Sequence, residues 1–267
     1  MRTTLASAFL ILGLILGTSA QPINEKDLII YYSFNEDTLI GDDVLDVSGN
    51  GNDGFRHGQN LESVEGKVAE GMAFPGRASV YISVRNHTYV EPIEEISLVV
   101  WVKTGKRGMI ASWDRNEFFR FSVGDSVGEN DGKTFVAFDT CCPCCHDWFS
   151  PTDVADDEWH HIVATFDGKA KRIYIDGELD GKVEVPMQVI GAGSARFGFV
   201  GIGSEAAMFD GDVGPTWAFS GIMDEFMLFH RALSKDEVKH LAKGTENPFS
   251  IDPNGKLSTT WADIKDN

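Results

Sequence analysis

Cysteine is missing from all but one stretch of this sequence: the four in 267 residues lie together between Cys141 and Cys145. Disulfides that stabilise an exported domain usually join distant loops, so here they cannot clamp the fold as a whole. Basic residues are scarce, 23 Lys and Arg against 41 Asp and Glu, giving a formal net charge of -18. A surface this acidic repels phosphate backbones and anionic lipid, which argues against nucleic-acid or membrane-surface partners. It suits divalent cations and neutral glycans, and acidity alone also keeps an exported protein soluble. No nucleophile elbow and no metalloprotease helix occurs. Long apolar runs are absent beyond the first twenty residues.

That first stretch is distinctive. One charge, Arg2, precedes the apolar run from Phe9 to Leu16, and Gly17, Thr18, Ser19 and Ala20 lead into the polar Gln21. The pattern predicts a signal peptide over residues 1–20, cleaved after Ala20, and hence a secreted protein, extracellular or periplasmic. The run is too short for a spanning helix, which needs roughly 20 apolar residues.

The rest reads as short strands separated by turns, the pattern of an all-β sandwich or barrel. Leu28 to Phe34 is the first strand candidate. Ile96 to Val102 carries apolar groups on both faces, which predicts a strand inside the sandwich. Phe118 to Val123 and Thr134 to Phe138 follow. Asp167-Gly168 and Asp176-Gly177 mark two tight turns in a meander running from Trp159 to Leu179. In the last long strand, Gly221 to Phe229, Ile222, Phe226 and Leu228 alternate with Met223, Met227 and Phe229. One short helix follows, with Ser234 as cap, Glu237 completing a capping box and Gly244 at its end. From Thr245 to Asn267 the composition turns polar and predicts a tail.

Four segments, in order, carry a resemblance: Tyr32-Ser33-Phe34-Asn35-Glu36; Asp46 to Gly54; Glu158 to Gly168 with Ile173 to Gly177; and Gly221 to Phe226 with Arg231-Ala232-Leu233-Ser234. Together they resemble the laminin-G-like jelly-roll domains of the concanavalin A-like lectin and glucanase superfamily. The resemblance implies two antiparallel sheets packed face to face over residues 21–244, with the two ends of the domain paired. It implies a non-catalytic module binding glycans or extracellular glycoproteins. Glucanases of the superfamily carry E-x-D-x-x-E on one strand, and no such array is present. Asp224 and Glu225 are adjacent, an arrangement expected to send them to opposite faces, and Glu178 and Asp180 lack a third acid. A glycoside hydrolase is the alternative, as is a metal or redox module built on the cysteines.

The loop from Asp46 to Gly54 is rich in oxygen donors of the kind calcium accepts, and equally in residues that serve turns. In similar domains a structural calcium often bridges this loop and the final strand, implying Asn35, Glu36, Asp46, Asn50 and Asp224 as ligands. Asn35 stands where the family usually has an acid. The segment Cys141-Cys142-Pro143-Cys144-Cys145-His146 admits local disulfides, with Cys141–Cys145 or Cys142–Cys145 the easier pairings. It also matches the haem-attachment pattern C-x-x-C-H. Thiolate binding of zinc or copper is a further reading, with His146, His160 or His161 completing the site. Trp113, Arg115, Arg120 and Trp148 are candidates for a glycan platform, and Asn86-His87-Thr88 is a glycosylation sequon. Expression in a secreting host is expected to yield a mature chain beginning at Gln21 by N-terminal sequencing; retention of residues 1–20 would refute the leader.

Overall fold

Alternating and doubly apolar strands can bury their side chains only by stacking sheets, and the computed structural model shows two of them. It describes residues 23, 25–114, 117–124, 134–141, 143–191, 193–203, 217–245 and 248–249. Strands are numbered along the chain. The eight-stranded sheet runs β15 (Glu178–Glu184), β14 (Ala170–Ile175), β13 (Trp159–Phe166), β8 (Ile96–Lys103), β17 (Ser220–Phe229), β6 (Glu70–Pro75) and β5 (Glu62–Glu65), with β1 (Leu28–Tyr32) also paired to β17. The nine-stranded sheet runs β12 (Phe149–Asp153), β11 (Phe135–Thr140), β10 (Phe119–Val123), β9 (Gly108–Trp113), β16 (Arg196–Val200), β7 (Tyr81–Tyr89), β4 (Gly54–His57), β3 (Asp43–Val44) and β2 (Leu39–Ile40). All of these pairings are antiparallel.

Both sheets face one core, in which Leu98, Val100, Ile162 and Phe226 meet Ile82, Ile110, Phe121 and Phe138. As its two apolar faces predict, β8 is interior, flanked by β13 and β17. Its other face, with Val99, packs with Val163, Tyr174, Met227 and Phe229 against Leu233, Val238 and Leu241. Val238 and Leu241 belong to the helix α1 (Lys235–Leu241), so α1 covers the outside of the eight-stranded sheet. Ser234 accepts from the Glu237 backbone N–H and the Glu237 side chain returns the bond, the capping box read from the sequence. At the β14–β15 turn both Asp176 (φ 51°) and Gly177 (φ 83°) are left-handed, as a two-residue hairpin turn demands.

Two expectations change. In β17 the register shifts between Asp224 and Met227, and Glu225 adopts φ 53°. This bulge adds one residue, so Met223 joins Phe226 and Leu228 in the central core instead of siding with Met227 and Phe229. The tail begins by docking: Phe249 is buried, meets the Tyr31 ring edge-on at 5.7 Å and bridges to Ile23. Most of the predicted tail and the whole predicted leader lie outside the described residues.

Trp113 fixes the centre of the core. It is fully buried, and a Cβ on Gly198 of β16 would come within 1.9 Å of its indole. Gly198→Ala is therefore expected to cost about 3 kcal/mol by overpacking, read as a lower urea midpoint with unchanged slope.

Candidate functional site

The cysteine loop joins β11 to β12 and resolves in favour of a local bridge, Cys141–Cys145. Cys144 is free and exposed, and Cys142 lies outside the described residues. With the Cys145 sulfur in a disulfide, the C-x-x-C-H match cannot supply two thioether sulfurs to haem, and neither Cys141 nor Cys145 offers a thiolate. The loop is tied down by reciprocal backbone bonds between Thr140 and His146. Beneath it Lys171, fully buried, donates to the carbonyls of Phe138 and His146 at 2.6 Å each. Burial pulls this ammonium down to about 7, against an opposing pull from Asp139. His160 is held by Asp176 at 2.9 Å and Asp156 at 3.2 Å. His161 is buried against Trp101, its rings 5.0 Å apart, and desolvation lowers it to about 3. His160 is thus engaged by carboxylates and His161 is enclosed on the helix-covered face with Trp101, Glu225 and Leu241.

The five residues implied as calcium ligands divide between two turns. Asp46 accepts from the backbone N–H groups of Tyr31, Ser48 and Asn52, and Asn50 donates to the Leu28 carbonyl at 2.7 Å. Asn35 instead accepts from Glu70 N–H, and Asp224 accepts from Lys67 and Val68 N–H at 2.8 Å each. Glu36 opens a short 3-10 turn after Asn35. Half of these side-chain oxygens already serve the backbone, and among the described residues no group of three or more His, Cys, Asp or Glu side chains is placed to hold a metal. The arrangement does not fit a cation needing six to eight oxygens.

The bulge in β17 corrects the reading of Asp224 and Glu225. Both turn to the face that α1 covers: Asp224 is registered with Trp101, and Glu225 accepts from the Tyr31 hydroxyl at 2.5 Å. Both are buried, and desolvation raises Asp224 to about 7 and Glu225 to about 8, the second helped by the charge of the first. One carboxyl oxygen of Asp224 has no partner. The adjoining cavity, lined by Trp101, His161 and Glu225, is about 10 Å³, space for one water and no sugar.

The broad face left uncovered by α1 is the outside of the nine-stranded sheet. In β10, Phe119 and Phe121 enter the core, so Arg120 between them points outward. It pairs with Asp139 at 2.6 Å and lies 5.4 Å from the centre of the Trp217 ring. Arg107 approaches the same ring at 5.9 Å. Trp217 is half-buried and holds a left-handed φ of 61°, a strained conformation for an aromatic residue. Further along this side of the sheet Phe55, His57, Tyr81 and Phe199 form a row of ring contacts 4.4 to 5.9 Å apart, with Tyr81 and Phe199 buried together with Ile202. Of the residues proposed as a platform, Arg120 is there. Trp113 is core, and Trp148 wedges between the sheets against Gly181 with its backbone N–H donated to Asp139. Arg115 lies outside the described residues. Nothing in the sequence marks Trp217 and Arg107 as a pair with Arg120, because only the fold brings residues 107, 120 and 217 together.

Comparison with known proteins places this architecture. A family model described as concanavalin A-like lectin/glucanases superfamily, of the laminin-G type, matches residues 76–239. The chain belongs to that family. The third and fourth resembling segments fall inside the match and the first two precede it. No curated protein matches the sequence. Among solved structures, Domain 4 of AbnA, a GH43 extracellular arabinanase from Geobacillus stearothermophilus in complex with arabinotriose, is similar with TM-score 0.58 and 18% identity, over 81% of this chain and 98% of that one. The binding domain of Paraclostridial Mosquitocidal Protein 1 gives TM-score 0.58 and 16% identity, over 82% and 52%. The Botulinum neurotoxin serotype D ligand binding domain in complex with N-acetylneuraminic acid gives 0.56 and 13%, over 82% and 51%. The chain spans about half the length of these two toxin domains, and the likeness is one of fold.

Two outcomes test the buried acids and the calcium ligands. Because the folded pKa of Glu225 is raised, its stabilising contribution is full below about pH 4.5 and is lost as pH rises through about 8. Glu225→Gln should therefore gain in Tm on the parent as pH rises from 5 to 8.5, by about 3 °C or more. A constant difference would refute the shift. Millimolar calcium should leave the parent Tm unchanged, and a rise of several degrees would show that a site assembles around Asp224.

Proposed function

We propose that the chain is an exported, non-catalytic module that binds carbohydrate or glycoprotein ligands on the open face of the nine-stranded sheet. The observation that carries this reading is the Trp217 indole flanked by the Arg107 and Arg120 guanidinium groups on that face. An indole offers a flat apolar surface for the C–H face of a sugar ring, and guanidinium N–H groups suit hydroxyl or carboxylate oxygens. The strain at Trp217 fits a side chain held out for a ligand.

Two similar folds were solved with arabinotriose and with N-acetylneuraminic acid, which supports a saccharide as ligand class. A binding role is favoured over hydrolysis because the adjacent acids of β17 are buried beneath the helix-covered face, away from Trp217. The leader-like start of the sequence supports export.

A glycan array followed by calorimetry on the hits tests the reading. Trp217→Ala is expected to weaken binding at least about tenfold, some 1.4 kcal/mol, and Arg107→Ala to weaken it less. An array without a binder would overturn the sugar assignment, and unchanged affinity in Trp217→Ala would remove the ligand from this face.

A further inference from the structure

At one end of the sandwich, β7 runs into the connection leading to β8, and His230 follows the last residue of β17. The register of β7 against β16 shifts between Phe197 and Phe199. Beyond that shift His87 and Tyr89, two residues apart, share a side of the strand. Their rings meet edge-on at 4.7 Å, and Tyr89 is core. His230, fixed by its backbone N–H to the Asp27 carbonyl at 2.8 Å, closes over them. A pocket of about 480 Å³ lies here, lined by His87, Tyr89, His230, Glu91, Glu94 and Glu95 together with intervening residues.

The two imidazoles in this pocket are chemically unusual. Their ring centres are 5.4 Å apart. His230 Nε2 is engaged by the Tyr89 hydroxyl at 2.8 Å, which fixes the ring and leaves Nδ1. His87 Nε2 is buried and has no hydrogen-bond partner. As mere packing, an imidazole with a buried orphan nitrogen carries a desolvation cost that a phenyl ring would not. A bound cation would remove that cost. Two imidazoles on one tetrahedral ion, with metal–nitrogen distances of about 2.0–2.1 Å, put their ring centres about 5 Å apart, close to the observed spacing.

We propose that His87 and His230 form a binding site for a divalent transition-metal ion of the zinc type. Tyr89 orients His230, the glutamates at positions 91, 94 and 95 add negative charge to the pocket lining, and water fills the remaining coordination. Nitrogen donors distinguish the site from a calcium site. Only two ligands are in place beforehand, which sets the affinity on the order of micromolar rather than nanomolar.

The test is zinc calorimetry at pH 7.5 on the full chain, with exposed thiols alkylated so that Cys144 cannot compete. One zinc per chain is expected, with affinity at least about tenfold lower in His230→Ala and in His87→Gln. Copper(II) on the parent should show hyperfine coupling to two imidazole nitrogens, falling to one in His230→Ala. His230 is exposed, so that variant should fold even if substitution at His87 proves disruptive. No zinc uptake at millimolar concentration, or uptake unaffected by both substitutions, would overturn the proposal. Glycan binding at Trp217 serves as an independent readout that the variants should leave intact.

Discussion

The structure depends on the pairing of β17, the last strand, in the middle of the eight-stranded sheet. It hydrogen-bonds β8, β6 and β1, so residues 28–32 and 220–229 must meet before that sheet is complete. Such long-range pairing costs loop-closure entropy before it is rewarded, which makes this a slow-folding topology. The bulge at Asp224 and Glu225 is what lets one strand serve both layers. Before it Met223 fills the central core, and after it Met227 and Phe229 fill the layer beneath α1.

The bulge also explains why two acids can sit inside an already acidic protein. Asp224 holds the 67–68 turn through two backbone N–H groups, and Glu225 holds the Tyr31 hydroxyl. Burial raises the pKa of both acids, the sign expected when a carboxyl group is taken out of water. Lys171 is the same device in the opposite sign, a buried ammonium that gathers the carbonyls of Phe138 and His146 under the cysteine loop. The only disulfide among the described residues spans five residues, so these buried polar anchors and the apolar core, not cross-links, hold the loops to the sheets.

The helix decides which sheet face is free. Val238 and Leu241 bury the outer apolar residues of the eight-stranded sheet, leaving Arg120 and Trp217 on the outer side of the opposite sheet. A lectin-like function needs such a face, and the covered layer holds the acids that a hydrolase would need in the open.

The sandwich was legible because its signals are local: alternation in β8, Asp-Gly turns around β14, and the Ser234 to Glu237 capping box each act within a few residues. The Cys141–Cys145 bridge was legible as one of two easy pairings. The flipped face of Met223 and the common orientation of Asp224 and Glu225 were not, because a bulge is set by the register of neighbouring strands and leaves no mark in a period of two. Nor was the burial of Trp113, which depends on Gly198 across the sheet. The convergence of residues 107, 120 and 217, and of 87 and 230, was beyond reach for the same reason. Sequence determined which segments become strands, since that rests on short-range chemistry; tertiary structure alone decided which distant side chains share a site, since that rests on how the strands pair.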